Sequence, residues 1–142
     1  MSSKIKIIFV LCMSFIWLVL MGEISTAKKM DTAPNNIPGT IKATSERLLR
    51  GKAIYSYYCS PCHGPEGTGL GPNAGNLATR PRNFTDKLYM DTKSDRDLFQ
   101  VIKGGGSMVG LSFLMPPWGG TLLEQELFDI IVYLRTFEAA GK

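Results

Sequence analysis

The 142-residue sequence contains one histidine, which excludes a His-rich zinc site and a two-His iron site. It contains three cysteines, an odd number that a simple disulfide framework cannot use. No run of like charges stands out, and the formal net charge is only +4. A dedicated nucleic-acid binder concentrates its charge more strongly, so nucleic acid is not an expected partner. With 44% hydrophobic and 20% charged residues, the chain is neither a disordered tail nor a polytopic membrane protein. Convincing strand alternation and internal repeats are both missing, which leaves an all-α chain.

What is present begins with an export signal. Lys4 and Lys6 precede an apolar segment at 7–21, and Ser25, Thr26 and Ala27 supply the small residues of a cleavage site after Ala27. The alternative is a retained anchor over 5–22, although the apolar run is shorter than the roughly 20 residues a spanning helix needs. Cys12 lies in this segment without the small residues that lipid modification wants before it, so Cys59 and Cys62 are the cysteines left to explain. The expected organisation is a signal peptide or anchor at 1–27, a polar linker with Pro34, Pro38 and Gly39 at 28–43, and one domain at 44–142.

Three helices are legible in the domain. Residues 45–58 place Leu48, Leu49, Ile54, Tyr55 and Tyr58 near helical spacing, with Thr44 or Ser45 as N-cap. Residues 94–103 carry a Ser94/Asp97 capping box, inward Leu98, Val101 and Ile102, and a glycine stop. The last helix is capped by Thr121 with Glu124 and bears a stripe of Leu123, Leu127, Ile130, Ile131, Leu134 and Phe137. Between them lie two long loops, 64–84 and 104–120, the sort usually reserved for function or held by something besides their own backbone. This is little regular structure for such a domain, and the core is under-built unless a large apolar ligand fills it.

Cys59-Ser60-Pro61-Cys62-His63 is the Cys-x-x-Cys-His attachment signature of c-type haem. Two thiols three positions apart at a helix end reach the two vinyl groups of one porphyrin, and the adjacent imidazole turns to the iron. A thioredoxin-like reading lacks its βαβ context, and a zinc site lacks its fourth ligand. For the opposite axial position the exported methionines are Met30, Met90, Met108 and Met115. Met30 lies in the linker, and Met90 reads as a surface or filler residue. Met115 precedes Pro116-Pro117, whose fixed backbone holds an extended loop against a ring. Met108, or an open or solvent-ligated iron, is the alternative.

From about Arg50 to Phe137 the chain resembles a mono-haem class I cytochrome c of the bacterial exported type. The resemblance rests on an ordered set: Gly51-x-x-x-Tyr55, Cys59-x-x-Cys62-His63-Gly64, Gly71-Pro72 and Leu77, Met115-Pro116-Pro117-Trp118, and Tyr133-Leu134-Arg135. It implies an all-α fold of three to four helices around one covalently bound haem c. Cys59 and Cys62 would carry the thioethers, and His63 and Met115 would be the iron ligands. Gly51 would lie where the terminal helices cross, with Tyr133 packed there. The Pro72 carbonyl would accept the Nδ1–H of His63 and fix its tautomer. Leu77, Phe84, Leu98, Ile102 and Trp118 would wall the pocket, and Arg80 or Arg82 would pair with a haem propionate. The Gly104-Gly105-Gly106 run departs from the family pattern and puts the rigidity of the methionine loop in question.

The resemblance implies an electron carrier rather than an enzyme. It would be periplasmic or otherwise extracytoplasmic, serve a respiratory chain, and meet redox-protein donors and acceptors through small interfaces. Lys87, Lys93 and Lys103 would be a docking rim or merely scattered lysines. A haem subunit of a larger oxidoreductase complex, membrane-associated through the N-terminus or the complex, is the second reading. A gas sensor or peroxidase-like enzyme ranks last, since neither a distal histidine nor a catalytic carboxylate appears near the second loop.

Overall fold

The computed structural model describes residues 40–140, with side chains to 138. The export segment, Cys12, Met30 and most of the linker lie outside the described residues. Those described form helices and loops without a strand. Three full helices, α1 (Ser45–Tyr58), α4 (Asp95–Gly104) and α5 (Glu124–Ala140), are joined by single-turn helices α2 (Ser60–His63) and α3 (Lys87–Met90) and by two short 3-10 turns. No described helix is long and apolar enough to cross a membrane.

The helix starts follow side-chain chemistry. The Thr44 hydroxyl accepts from the Arg47 N–H and opens α1, and the expected Ser94/Asp97 capping box opens α4. The last helix differs: it begins at Glu124, not after Thr121. The Trp118 carbonyl accepts from the N–H groups of both Thr121 and Leu122, so these residues close a turn before the helix can start. The Glu126 carboxylate instead accepts the Leu123 N–H at 2.8 Å. Leu123, expected in the buried stripe, is therefore exposed, while Leu127, Ile130, Ile131, Leu134 and Phe137 are buried.

Helices α1 and α5 form the main seam. Gly51 faces the backbone of α5 so closely that a Cβ there would stand 2.0 Å from the Asp129 carbonyl oxygen. Tyr133 packs at the same crossing, its Cβ 3.0 Å from that position. Beside the contact lies Asp129, fully buried in the middle of the apolar stripe. Its carboxylate accepts from Arg50 Nε at 2.7 Å and Arg47 Nη1 at 3.2 Å, both from α1. A buried carboxylate is costly unless paired and hydrogen-bonded, so the two arginines confine α1 to one register on α5.

A second polar anchor ties α4 to α5. Arg135 donates to Asp95 at 2.9 Å and to the backbone carbonyls of Met90 and Lys93. Asp95 also accepts the Ile41 N–H at 2.7 Å. Ile41, within the linker as read from sequence, is buried against the core. Met90 is a core residue with no exposed surface, and Phe99 stacks on Phe128 with ring centroids 5.1 Å apart.

Candidate cofactor site

The attachment motif sits where α1 runs into α2. The Tyr55 O–H donates to the Gly64 carbonyl at 2.6 Å, binding the exit of the motif to the core of α1. The loop that follows is held by backbone hydrogen bonds, contrary to the expectation for so irregular a segment. The N–H groups of Gly69, Gly71 and Asn73 donate to the carbonyls of His63, Cys62 and Pro61. These are the free carbonyls at the end of α2, so the loop satisfies the helix terminus and is fixed by it.

Both motif cysteines lie at partly buried positions, and no disulfide joins them. Burial, reinforced by neighbouring Cys62, pushes the Cys59 thiol up to about 12. His63 is buried, and burial lowers its basicity despite a hydrogen bond that opposes the shift. That bond corrects the Pro72 expectation: His63 Nδ1 lies 3.0 Å from the Arg82 carbonyl. Gly71 and Asn73, on either side of Pro72, are tied to the α2 carbonyls. Pro72 is exposed and away from the cavity, and the returning part of the loop brings Arg82 to the imidazole instead. A carbonyl only accepts, so Nδ1 carries the hydrogen and Nε2 keeps the lone pair a metal needs. Phe84 stacks on the imidazole at 4.6 Å and fixes the ring plane.

The motif opens onto a cavity of about 700 Å³, within the range of cofactor sites. Cys59, Cys62, His63 and Met115 all line it, as do Leu77, Phe84, Leu98, Ile102 and Trp118. Met108 does not; it is exposed, packed against Gly104 outside the cavity. The triple glycine gives the methionine loop close packing, not slack. A Cβ on Gly106 would stand 2.1 Å from the Ser112 carbonyl oxygen, and Gly105 has a φ of 78°. The loop is also clipped to α4, with the Trp118 and Gly119 N–H groups donating to the Ile102 and Lys103 carbonyls, each at 3.0 Å.

The lining charges are Arg80, Arg82, Lys93 and Asp97, three cations against one carboxylate. Asp97 is already engaged by Ser94. Two thiols, a neutral imidazole with a free lone pair, a thioether and an excess of cations around an apolar cavity fit a haem with two propionates. The expected lysine rim fits less well: Lys87 pairs with Asp91 and Lys103 with Glu124. Sequence reading missed Asp129 with its arginines, the Arg82 carbonyl and Tyr89, whose ring also lines the cavity. A lone acid amid the apolar residues of the last helix was the available signal for Asp129.

Comparison with known proteins identifies the family. Residues 46–134 match the family model described as cytochrome c oxidase, cbb3-type, subunit III. Photosystem II extrinsic protein V of Cyanidium caldarium is 30% identical over 128 residues, covering 84% of this chain and 82% of that protein. A chain of the reducing HAO-like protein complex of Kuenenia stuttgartiensis superposes with a TM-score of 0.52 at 28% identity, over 71% of this chain. The match spans 45% of that longer chain. The chain thus belongs to the cytochrome c family, with the all-α fold, the haem c cofactor and the electron-transfer chemistry of that family.

Proposed function

We propose that this chain is an exported mono-haem cytochrome that passes single electrons between redox proteins, with Cys59 and Cys62 in thioether linkage and His63 and Met115 as axial ligands. The haem supplies the Fe(III)/Fe(II) couple. The chain holds the imidazole in its neutral tautomer through the Arg82 carbonyl, fixes its plane with Phe84, and excludes water with apolar walls. The observation that carries the reading is the convergence of both cysteines, His63 and Met115 on one cavity that Met108 does not reach. One attachment motif accounts for one haem, and the positive, apolar and small-residue pattern of residues 1–27 supports export to the periplasm or an equivalent compartment.

Covalent haem tests the first part: colour should survive denaturing electrophoresis and be lost in Cys59→Ala/Cys62→Ala. Met115→Ala should remove the weak long-wavelength band of sulfur–iron coordination from the oxidised spectrum and let reduced protein bind CO, while Met108→Ala should do neither. An unchanged Met115→Ala spectrum and potential would overturn the ligand assignment.

A second reading, a subunit of a larger complex, is favoured by the second loop. Residues 104–121 carry no charge and expose Met108, Leu111 and Phe113. The matched family is itself described as an oxidase subunit, and the structural neighbour comes from a complex. Purification from native membranes separates the readings: a free carrier elutes alone, a subunit with its partners.

A further inference from the structure

The cavity wall formed by the end of the first loop, α3 and the start of α4 carries an arrangement not used so far. The Arg82 guanidinium carbon lies 3.8 Å from the Tyr89 ring centroid, and the Lys93 ammonium lies 5.2 Å from the same centroid. All three residues line the cavity. Neither cation makes a salt bridge among the described residues, whereas Lys87, Lys103 and Arg135 all do. Tyr89 itself is placed firmly. Its N–H is capped by Asp86, its carbonyl accepts from the Thr92 hydroxyl at 2.7 Å, and the Lys93 carbonyl accepts from Arg135 at 2.5 Å.

We infer that Tyr89 is a positioning residue that gathers Arg82 and Lys93 on its ring and so holds two positive charges against the haem cavity, raising the reduction potential. This rests on the haem-binding reading above. A fixed cation stabilises the form of a one-electron couple that carries less positive charge, the ferrous one. The effect weakens with exposure to water, and of the two cations Arg82 is exposed and Lys93 half-buried. The ring is the one side-chain contact that either cation makes among the described residues, so without it their charge is free to move outward, where it is screened. Cation–π contact is the force that holds them, and phenylalanine supplies it as well as tyrosine does.

Arg82 has two separable ends. Its carbonyl serves His63, and the backbone there is held independently by the Phe84 N–H donating to the Gly67 carbonyl at 2.6 Å. Releasing the guanidinium therefore changes the charge near the haem and leaves the histidine's acceptor in place. The sign of the effect follows: strengthening the imidazole favours Fe(III), whereas the cations favour Fe(II), and Tyr89 governs the cations alone.

The test is spectroelectrochemistry on the full haem-loaded chain. Tyr89→Leu should move the reduction equilibrium against a fixed reference couple about three- to tenfold toward the oxidised form, roughly 30–60 mV lower at 59 mV per tenfold for one electron. Tyr89→Phe should stay within about twofold of wild type. Arg82→Met and Lys93→Met should each lower the potential, and each by less in the Tyr89→Leu background, because the ring is what makes their charge count. Equal potentials in wild type and Tyr89→Leu, equal shifts in Tyr89→Phe and Tyr89→Leu, or full additivity of the double variants would each overturn the inference. Should Tyr89→Leu fail to retain haem, the two single cation variants decide: no lowering in either overturns it. A wild-type chain without thioether-bound haem overturns the parent reading instead.

Discussion

Replacing Gly51 by alanine sets a methyl group against the backbone of α5. The new Cβ would stand 2.0 Å from the Asp129 carbonyl oxygen and 2.6 Å from its carbon. Both are main-chain atoms of a long helix, so no side chain can swing aside. Reaching ordinary contact requires α1 and α5 to part by about 1.4 Å, a change that a densely packed interior resists. The same movement stretches the 2.7 Å bond from Arg50 to the fully buried Asp129 carboxylate. Overpacking costs about 1–3 kcal/mol, and weakening a buried charge pair adds to it. The roughly 1 kcal/mol of helix propensity gained by leaving glycine offsets part. A net loss of about 2–4 kcal/mol is expected, read as a lower urea midpoint by circular dichroism at unchanged slope. Gly75→Ala is the control, because a Cβ there meets nothing within 4 Å. If Gly51→Ala stays within about 0.5 kcal/mol of wild type, a loss no larger than an ordinary surface change, the close helix contact is not what constrains the seam.

Three further outcomes follow from the polar contacts. Asp129→Asn should destabilise by about 2–3 kcal/mol in the same assay, less than a fully buried pair because Arg47 and Arg50 keep access to water. The Asp97 carboxyl is held below its usual range by the Ser94 hydroxyl and N–H. A lowered carboxyl contributes stability above its unfolded pKa and loses it as pH falls through the folded value, so wild type should lose about 0.5–1 kcal/mol relative to Asp97→Asn on acidification below about pH 4. A flat difference across that range would show the cap to be uncharged in effect. In the haem-free chain, alkylation of Cys59 near neutral pH should be at least about tenfold slower in buffer than in urea, because burial in the fold pushes the thiol up to about 12; equal rates would mean that the fold does not close around the thiol before attachment.

Much of the site was legible because its residues are chemically singular. Cys59, Cys62, His63 and Met115 stand in spacings that few other structures need, and they line one cavity together with Leu77, Leu98 and Trp118, which the family resemblance implied as walls. The Ser94/Asp97 box was legible because capping is local. What escaped depends on the returning chain. The acceptor of His63 is a main-chain carbonyl, an atom every residue has, so sequence could not choose Arg82 over Pro72. The start of α5 escaped because Trp118, anchored on α4, captures the N–H groups of Thr121 and Leu122. The glycine run read as slack because sequence shows the missing side chains without the backbone that occupies their place.

The α1–α5 seam has a bearing on how such a protein changes over generations. Gly51 and Asp129 close the chain on itself, so the attachment loop and the methionine loop, each clipped locally to a helix, both lie between two fixed points. Closing a longer loop costs only about 0.6 kcal/mol per doubling of length. Insertions and exchanges among these connecting residues can therefore alter cofactor surroundings and partner preference while the seam keeps its register.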